Sequence, residues 1–147
     1  MNKFQICTMT LEDFENIQDI FTSDFDSFWN PSILKQELLC DNSHFIVAKN
    51  EDEIIGFAGF KVLLEDADLM NIVVKKSYRN QGVGSLLLKN LMDLFFSFSL
   101  VSLYLEVNEN NLPAIHLYQK FGFKKIDVRK NYYPNHQNAI IMCFSTK

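Results

Sequence analysis

Residues 79–84, Arg-Asn-Gln-Gly-Val-Gly, follow an apolar run, LMNIVV at 69–74, and a helical pattern begins inside them. The first turn of a helix has about four N–H groups without intrahelical partners and carries a partial positive charge. Gly82 and Gly84 have no Cβ, so a bulky ligand can approach the backbone closely, and Arg79 adds a positive charge. This strand–loop–helix arrangement predicts a binding site for a phosphate or pyrophosphate group.

Two common phosphate-binding motifs are excluded at this loop. A P-loop requires Gly-Lys-Ser/Thr, which is missing, and the dinucleotide fingerprint requires a third glycine that does not follow Gly84. The alternative that stays open is a glycine-containing turn that only lets the strand and the helix pack together.

The rest of the chain alternates between strand-like and helix-like patterns. Strands are predicted at 3–9, 43–49, 53–64, 69–74, 101–107, 123–133 and 138–145, and helices at 10–21, 30–39, 83–98 and 110–121. The order β-α-α-β-β-β-α-β-α-β-β predicts an α/β (α+β) fold, with a mixed sheet and helices on its faces.

Several helix ends carry recognisable signals. Thr10 and Asp13 have the spacing of a capping box, and Asn30 followed by Pro31 suits the start of the second helix. Gly122 is the expected stop of the last helix. Trp29 is expected to pack onto the second helix as a hydrophobic staple.

Composition narrows the functional classes. The 147 residues are 48% hydrophobic and include 14 Phe, which predicts a single folded domain over 1–147. A net charge of −4 does not suit a dedicated nucleic-acid binder. No apolar run approaches the roughly 20 residues needed to cross a membrane. The three cysteines and three histidines are scattered without metal-ligand spacing, and we expect a reduced, cytoplasmic setting and no metal.

Two residues with reactive side chains lie on predicted elements. In the strand at 101–107, alternation puts Glu106 on the face opposite four apolar residues, where it is either a catalytic carboxylate or a solvated one. Tyr118, on the helix at 110–121, reads as a core aromatic whose hydroxyl needs a partner.

The residues at 79–84 are similar to the (Gln/Arg)-x-x-Gly-x-(Gly/Ala) signature of the GNAT N-acetyltransferases. LYLEVNENNLPAIHLYQKFGF at 103–123 and RKNYYP at 129–134 resemble the RimI branch of that family, which acetylates the N-terminal alanine of a ribosomal protein. The element order looks like theirs across nearly the whole chain, and implies a GNAT fold with a mostly antiparallel sheet of six or seven strands and splayed central strands. Phe28-Trp29-Asn30-Pro31 departs from the Pro-Trp-Ser/Thr that is commoner in relatives.

The resemblance implies a role for each matched residue. Acetyl-CoA would be the co-substrate, Glu106 the base for the acceptor amine, and Tyr118 the acid for the leaving sulfur. Tyr132 and Tyr133 would cover the acceptor peptide, which would be the N-terminus of a protein. The implied acetyl-CoA contacts are Ile72, Val73, Val74, Arg79, Asn80, Gln81, Gly82, Val83, Gly84 and Asn111.

Other interpretations stay open at this stage. The same cofactor site could serve an acetyltransferase for lysine side chains or small amines, or a non-catalytic acetyl-CoA-binding module. Asn111 could equally cap its helix. Glu65, Asp66 and Asp68 could attract a cationic peptide, although a solvated acidic turn is the simpler interpretation.

Overall fold

A computed structural model describes residues 3–25 and 30–147. Its strands are β1 (Gln5–Thr8), β2 (Ser43–Asn50), β3 (Glu53–Leu63), β4 (Asp66–Val74), β5 (Ser102–Asn108), β6 (Lys124–Arg129) and β7 (Ala139–Ser145). Its α-helices are α1 (Leu11–Ile17), α2 (Pro31–Leu38), α3 (Val83–Ser97) and α4 (Leu112–Lys120). The predicted order of elements is therefore confirmed for the described residues.

The chain forms two compact units. The first comprises residues up to 61 together with 70–94, and the second comprises 62–69 together with 95–147. Strands β3 and β4 and helix α3 each contribute residues to both units.

In the first unit the strands are ordered β1-β2-β3-β4, and β2 pairs antiparallel with both β1 and β3. Gly56 and Phe57, adjacent on β3, point to opposite faces. A Cβ at Gly56 would lie 3.1 Å from the Leu87 side chain of α3, so this glycine lets α3 approach the strand closely. The Phe57 ring contacts Phe21 and Phe25, at 5.7 and 6.2 Å between centroids. Helical segments therefore cover both faces of β3 in this unit.

The predicted helix starts are confirmed. The Thr10 hydroxyl accepts from the Asp13 N–H at 3.1 Å, and the Asp13 carboxylate accepts from the Thr10 N–H at 2.8 Å. The Asn30 side chain accepts from the Ser32 N–H at 2.8 Å, with Pro31 in the first turn. Trp29, expected as a staple, lies outside the described residues.

The first predicted helix, 10–21, is wrong in its second half. The α-helix ends at Ile17, a 3₁₀ turn covers Gln18–Ile20, and a π-helical turn covers Phe21–Phe25. The rings of Phe21 and Phe25 are both fully buried and lie 6.3 Å apart. The change of helix type therefore accompanies the burial of two large rings one wide turn apart.

In the second unit the strands are ordered β4-β5-β7-β6. β5 pairs antiparallel with β7 along its whole length, and β7 pairs antiparallel with β6. The parallel pairing of β4 with β5 covers only Asp66–Asp68 and Ser102–Tyr104. On β5, Glu106 lies two residues beyond this pairing.

The acidic segment after β3 is not the turn that the sequence suggested. The turn consists of Leu64 and Glu65, and Asp66 already pairs with Ser102 in β4. The Val101 N–H donates to the Glu65 carbonyl oxygen at 2.7 Å, which draws the chain into the sheet at this point. Cross-strand hydrogen bonds here outweigh the low strand propensity of aspartate.

The two later helices form where the sequence predicts them. α3 ends at Ser97, one residue before the predicted end, and Phe98 is exposed. The buried side chains of α3 are Val83, Leu87, Leu88, Leu91, Met92 and Phe95. Gly122 ends α4 with a φ of +95°, as predicted.

Candidate active site

The loop between β4 and α3 adopts a conformation that leaves backbone donors at its end. Asn80 and Gly82 have φ values of +63° and +81°. The first helical bond of α3 joins the Leu86 N–H to the Gly82 carbonyl oxygen at 3.0 Å. The N–H groups of residues 83–85 precede that bond, so they have no acceptor within the helix.

The polar side chains of this loop hold it in place. Arg79 donates from Nη2 to the Phe25 carbonyl oxygen at 2.9 Å and from Nε to the Val74 carbonyl oxygen at 3.3 Å. The Gln81 amide donates to the Ser77 carbonyl oxygen at 3.4 Å. The charge of Arg79 thus lies at the loop, but two of its N–H groups are already used within the protein.

The space around the Gly82 backbone bears on whether the loop can bind a diphosphate. A Cβ at this position would meet no described protein atom within 4 Å. The glycine is therefore not needed for packing, and its backbone faces open space next to the start of α3. An open backbone at a helix start suits a pyrophosphate. The φ of +81° at Gly82 is also what a glycine-containing turn requires, so pyrophosphate binding at this loop stays a prediction.

The end of β4 presents backbone groups to two edges. The Val73 carbonyl oxygen lies 2.8 Å from the position of a Cβ on Gly56, and the Lys75 N–H donates to the Ile55 carbonyl oxygen at 2.7 Å. Residues 73 and 75 therefore face β3, and alternation directs the N–H groups of 72 and 74 to the other edge. The N–H groups of Ile72 and Val74 thus point away from β3, and the acetyl-CoA contacts of Ile72, Val73 and Val74 stay predictions.

Glu106 lies on β5, paired with Ile141 of β7, and its side chain is about one-third exposed (35%). One carboxylate oxygen, Oε1, is 3.1 Å from Nη1 of Arg129, at the end of β6. The Tyr132 hydroxyl also interacts electrostatically with the carboxylate, as the pKa of that hydroxyl shows. The face of β5 opposite to the buried Leu105 and Val107 therefore carries a carboxylate that is paired with Arg129.

The charge of Glu106 affects the pKa of residues on several elements. The pKa of the Tyr132 hydroxyl is raised, chiefly by its hydrogen bond to Glu106. Burial raises the pKa of Tyr133, and the charge of Glu106 adds to the effect. Burial likewise raises the pKa of Asp68 on β4, with further contributions from Glu106 and Asp66.

Tyr118, on α4, is 6% exposed. Its ring packs against Phe123 at 5.7 Å between centroids. Burial, with a smaller contribution from Tyr133, raises the pKa of the Tyr118 hydroxyl to about 12. The group therefore keeps its proton throughout the neutral range.

The loop 130–138, between β6 and β7, is tied to the end of β5. The Asn108 side-chain amide donates to Gln137 Oε1 at 2.6 Å, and the Glu109 N–H donates to the Asn138 carbonyl oxygen at 3.0 Å. On this loop Tyr132 and Tyr133 meet edge to face at 5.1 Å, and Tyr132 is 47% exposed.

The sequence profile of the acetyltransferase (GNAT) family matches residues 14–123, about three-quarters of the chain. The chain belongs to the GNAT acetyltransferase family. Its co-substrate is acetyl-CoA, and its fold is the GNAT fold predicted from the sequence.

Three relatives carry related names. A Bacillus subtilis protein provisionally named as a ribosomal protein bS18-alanine N-acetyltransferase is 34% identical over 142 residues, 95% of this chain and 94% of that one. The bS18-alanine N-acetyltransferase of Salmonella typhimurium is 40% identical over 95 residues, 63% of this chain and 64% of that one. The crystal structure of the ribosomal-protein-S18-alanine N-acetyltransferase from Escherichia coli is similar with a TM-score of 0.89 and 29% identity, covering 97% and 93%.

Within this GNAT chain, the second unit brings together Glu106, Tyr132 and Tyr133, whose roles stay predictions, and adds Arg129 and Asp68. Neither addition was predicted as a partner of Glu106. The sequence contains no signal for the Arg129 contact, because that contact depends on the strand order β5-β7-β6.

Asn111 caps α4, since its side-chain oxygen accepts from the Ala114 N–H at 3.3 Å. One of the two readings of Asn111 is therefore confirmed, and its role toward acetyl-CoA stays a prediction. In the described ranges, 3–25 and 30–147, no three His, Cys, Asp or Glu side chains are grouped to hold a metal ion. Within the same ranges no helix is long and apolar enough to cross a membrane.

Proposed function

We propose that this GNAT acetyltransferase acetylates the N-terminal α-amine of a protein, and that its acceptor is the N-terminal alanine of ribosomal protein bS18. The similarity to bS18-alanine N-acetyltransferases carries the proposal, since one relative is 34% identical over 95% of this chain. The Escherichia coli structure of the same name supports it with a TM-score of 0.89. We further propose that residues 1–147 act as one catalytic domain in the cytoplasm, where ribosomes are present.

The start of α3 would bind the co-substrate. The N–H groups of residues 83–85 and the open backbone of Gly82 would hold the pyrophosphate. Asn80 and Gln81 belong to the same loop, and Asn111 has a side-chain NH₂ left to donate after capping α4. The N–H groups of 72 and 74 would bind the acyl carbonyl and the pantetheine arm. Acetyl-CoA supplies an acyl group activated as a thioester.

Glu106 would accept the proton of the acceptor amine. An α-amine has a reference pKa of about 8, against about 10.4 for a lysine side chain. Little help from a base is therefore needed near neutral pH when the acceptor is a protein N-terminus. A carboxylate acting directly or through one water is sufficient for this step.

Tyr118 would donate to the sulfur as it leaves. Its hydroxyl is protonated at neutral pH because its pKa is raised to about 12. A free thiol, with a pKa of about 8.5, is the stronger acid, so the contribution of Tyr118 is a hydrogen bond to the developing thiolate. That contribution requires a fixed ring, and Tyr118 is held by its packing against Phe123.

The test compares three acceptors under one set of conditions with acetyl-CoA. They are a peptide with the bS18 N-terminus beginning with alanine, the same peptide blocked at its α-amine but containing a lysine, and a polyamine. Mass spectrometry should show acetylation of the free alanine only. Equal turnover of the blocked peptide would instead establish a lysine acetyltransferase. An acetylation rate unchanged by both Glu106→Gln and Tyr118→Phe would exclude the assigned chemistry.

A further inference from the structure

Arg129 and Glu106 are brought together by the order of the strands. Arg129 pairs with Ala139 of β7, which in turn pairs with Asn108 of β5, two residues after Glu106. The Arg129 side chain therefore reaches across β7 to place Nη1 3.1 Å from Oε1 of Glu106.

We propose that Arg129 is a positioning residue, whose guanidinium orients the Glu106 carboxylate and favours the neutral form of the acceptor amine that meets it. The proposal rests on the function of Glu106 proposed above. It assigns a role to a residue outside the acetyl-CoA-binding motif.

The orientation follows from the contacts of the two groups. Nη1 of Arg129 lies 3.1 Å from Oε1 of Glu106, and the guanidinium also lies 5.8 Å from the centroid of the Tyr132 ring, which limits its movement. A carboxylate has about four lone-pair sites. With Oε1 paired to Arg129, the orientation of the Glu106 carboxylate is restricted, and its other lone-pair sites are left for an acceptor amine.

The exposure of the pair argues against a role in stability. The Arg129 side chain is 57% exposed and that of Glu106 is 35% exposed. Exposed ion pairs contribute between about 0 and 1 kcal/mol to folding, so the pair adds little to the stability of β6.

The charges around Glu106 determine what Arg129 does to an amine. Asp68 from β4, together with Tyr132 and Tyr133 from the loop, faces the carboxylate, and Asp127 of β6 lies in the same row across β7. The carboxylates of Asp68 and Asp127, next to that of Glu106, would by themselves favour a bound ammonium ion and so oppose its deprotonation. The positive charge of the Arg129 guanidinium offsets the negative charge of these carboxylates. This offset is enough to allow deprotonation of an α-amine, with a pKa of about 8, but not of a lysine side chain, with a pKa of about 10.4.

The experiment measures kcat against pH with the alanine-starting peptide, because the acid limb of that profile reports groups in the enzyme–substrate complex. Arg129→Gln should move the acid limb upward by about half to two pH units, as expected for a unit charge removed about 6 Å away. Arg129→Lys should restore the limb while kcat stays reduced, since lysine keeps the charge but not the planar geometry. Lys124→Gln, which removes an exposed charge from the same strand, is the control and should leave the profile unchanged.

A second measurement needs no acceptor. Arg129 lowers the pKa of Tyr132, against the larger effect of Glu106. Arg129→Gln should therefore raise the Tyr132 midpoint in a tyrosine ¹³C NMR titration. A wild-type chain that leaves the alanine peptide unmodified would refute the proposed function, whereas an unmoved Tyr132 midpoint would refute the charge arrangement in either case. An Arg129→Gln profile that superimposes on the wild type, or an equal shift from Lys124→Gln, would overturn the inference.

Discussion

At the scale of single residues, Tyr118 combines a structural position with a chemical one. Its ring is buried against Phe123, and burial raises its hydroxyl pKa to about 12. Removing the hydroxyl leaves the ring and its packing in place. The two roles can therefore be separated by one substitution.

Tyr118→Phe should lower kcat by about 10²-fold, the lower end of the range for one lost hydrogen-bond donor to a developing anion, with little change in KM for acetyl-CoA. Steady-state kinetics with the alanine-starting peptide measures both constants. Tyr78→Phe is the matched control, because the Tyr78 hydroxyl binds Glu53 on an exposed surface. Equal kcat values for the wild type and Tyr118→Phe would remove Tyr118 from the mechanism.

Some site residues could be predicted from local sequence and others could not. Alternation along β5 placed Glu106 opposite the buried Leu105 and Val107, because the side-chain period of a strand is fixed. Arg129 could not be predicted in the same way, since its contact spans two strand pairings that the sequence does not specify.

At the scale of elements, an ion pair connects the capping box of α1 to β2. Asp13 accepts the Thr10 N–H, and its Oδ1 lies 3.1 Å from Lys49 Nζ. Burial alone would raise the Asp13 pKa, but the hydrogen bonds from Thr10 and Lys49 outweigh it and the pKa is lowered. A lowered pKa means that the ionised form stabilises the fold.

Asp13→Asn should lower the free energy of unfolding at pH 7 by about 1–3 kcal/mol, because the charged hydrogen bonds of a buried carboxylate are lost. The contribution of Asp13 is fully present above its unfolded pKa of about 3.8 and disappears as the pH falls through the lower folded pKa. Urea denaturation at neutral and acidic pH should show that the free energies of unfolding of the wild type and of Asp13→Asn become equal as the pH falls.

Asp93→Asn controls for the loss of a carboxylate in a helix. Asp93 pairs with Lys89 at 3.4 Å in an exposed pair of α3, so its loss should cost less than about 0.5 kcal/mol. Equal losses for the two variants would contradict the role given to the capping box.

The helix starts were predictable because their signals are local, as the Asn30 cap with Pro31 shows. The end of α1 was not, because the π turn at Phe21–Phe25 accompanies contacts with Phe57, more than thirty residues away. The strand start at Asp66 was missed for the same reason, since it depends on pairing with Ser102.

At the scale of the whole molecule, the order of elements and the family could be predicted, because the order follows from local sequence patterns and the family from sequence motifs.

Acetyl-CoA binding should stabilise the entire fold, by about 2.7 kcal/mol at a concentration 100 times its Kd. Thermal denaturation with and without acetyl-CoA reports this coupling.

Gly82→Ala should abolish or strongly reduce the rise in Tm produced by acetyl-CoA, because the new Cβ occupies space that the pyrophosphate needs. Both Gly82 and Gly122 have positive φ values, so Gly122→Ala carries a comparable backbone strain of about 1 kcal/mol and is the control. Each variant is compared with its own Tm without ligand. A full rise in Tm for Gly82→Ala would refute pyrophosphate binding at this loop.

The ties that hold the loop 130–138 have a practical consequence for the choice of buffer. The bond between Asn108 and Gln137 joins two neutral amides, which neither titrate nor gather counterions. Glu106 and Arg129, by contrast, are partly exposed ions whose attraction weakens as salt is added. Added salt should thus weaken the effect of Arg129 on the Glu106 carboxylate, while the loop 130–138 stays attached to the end of β5.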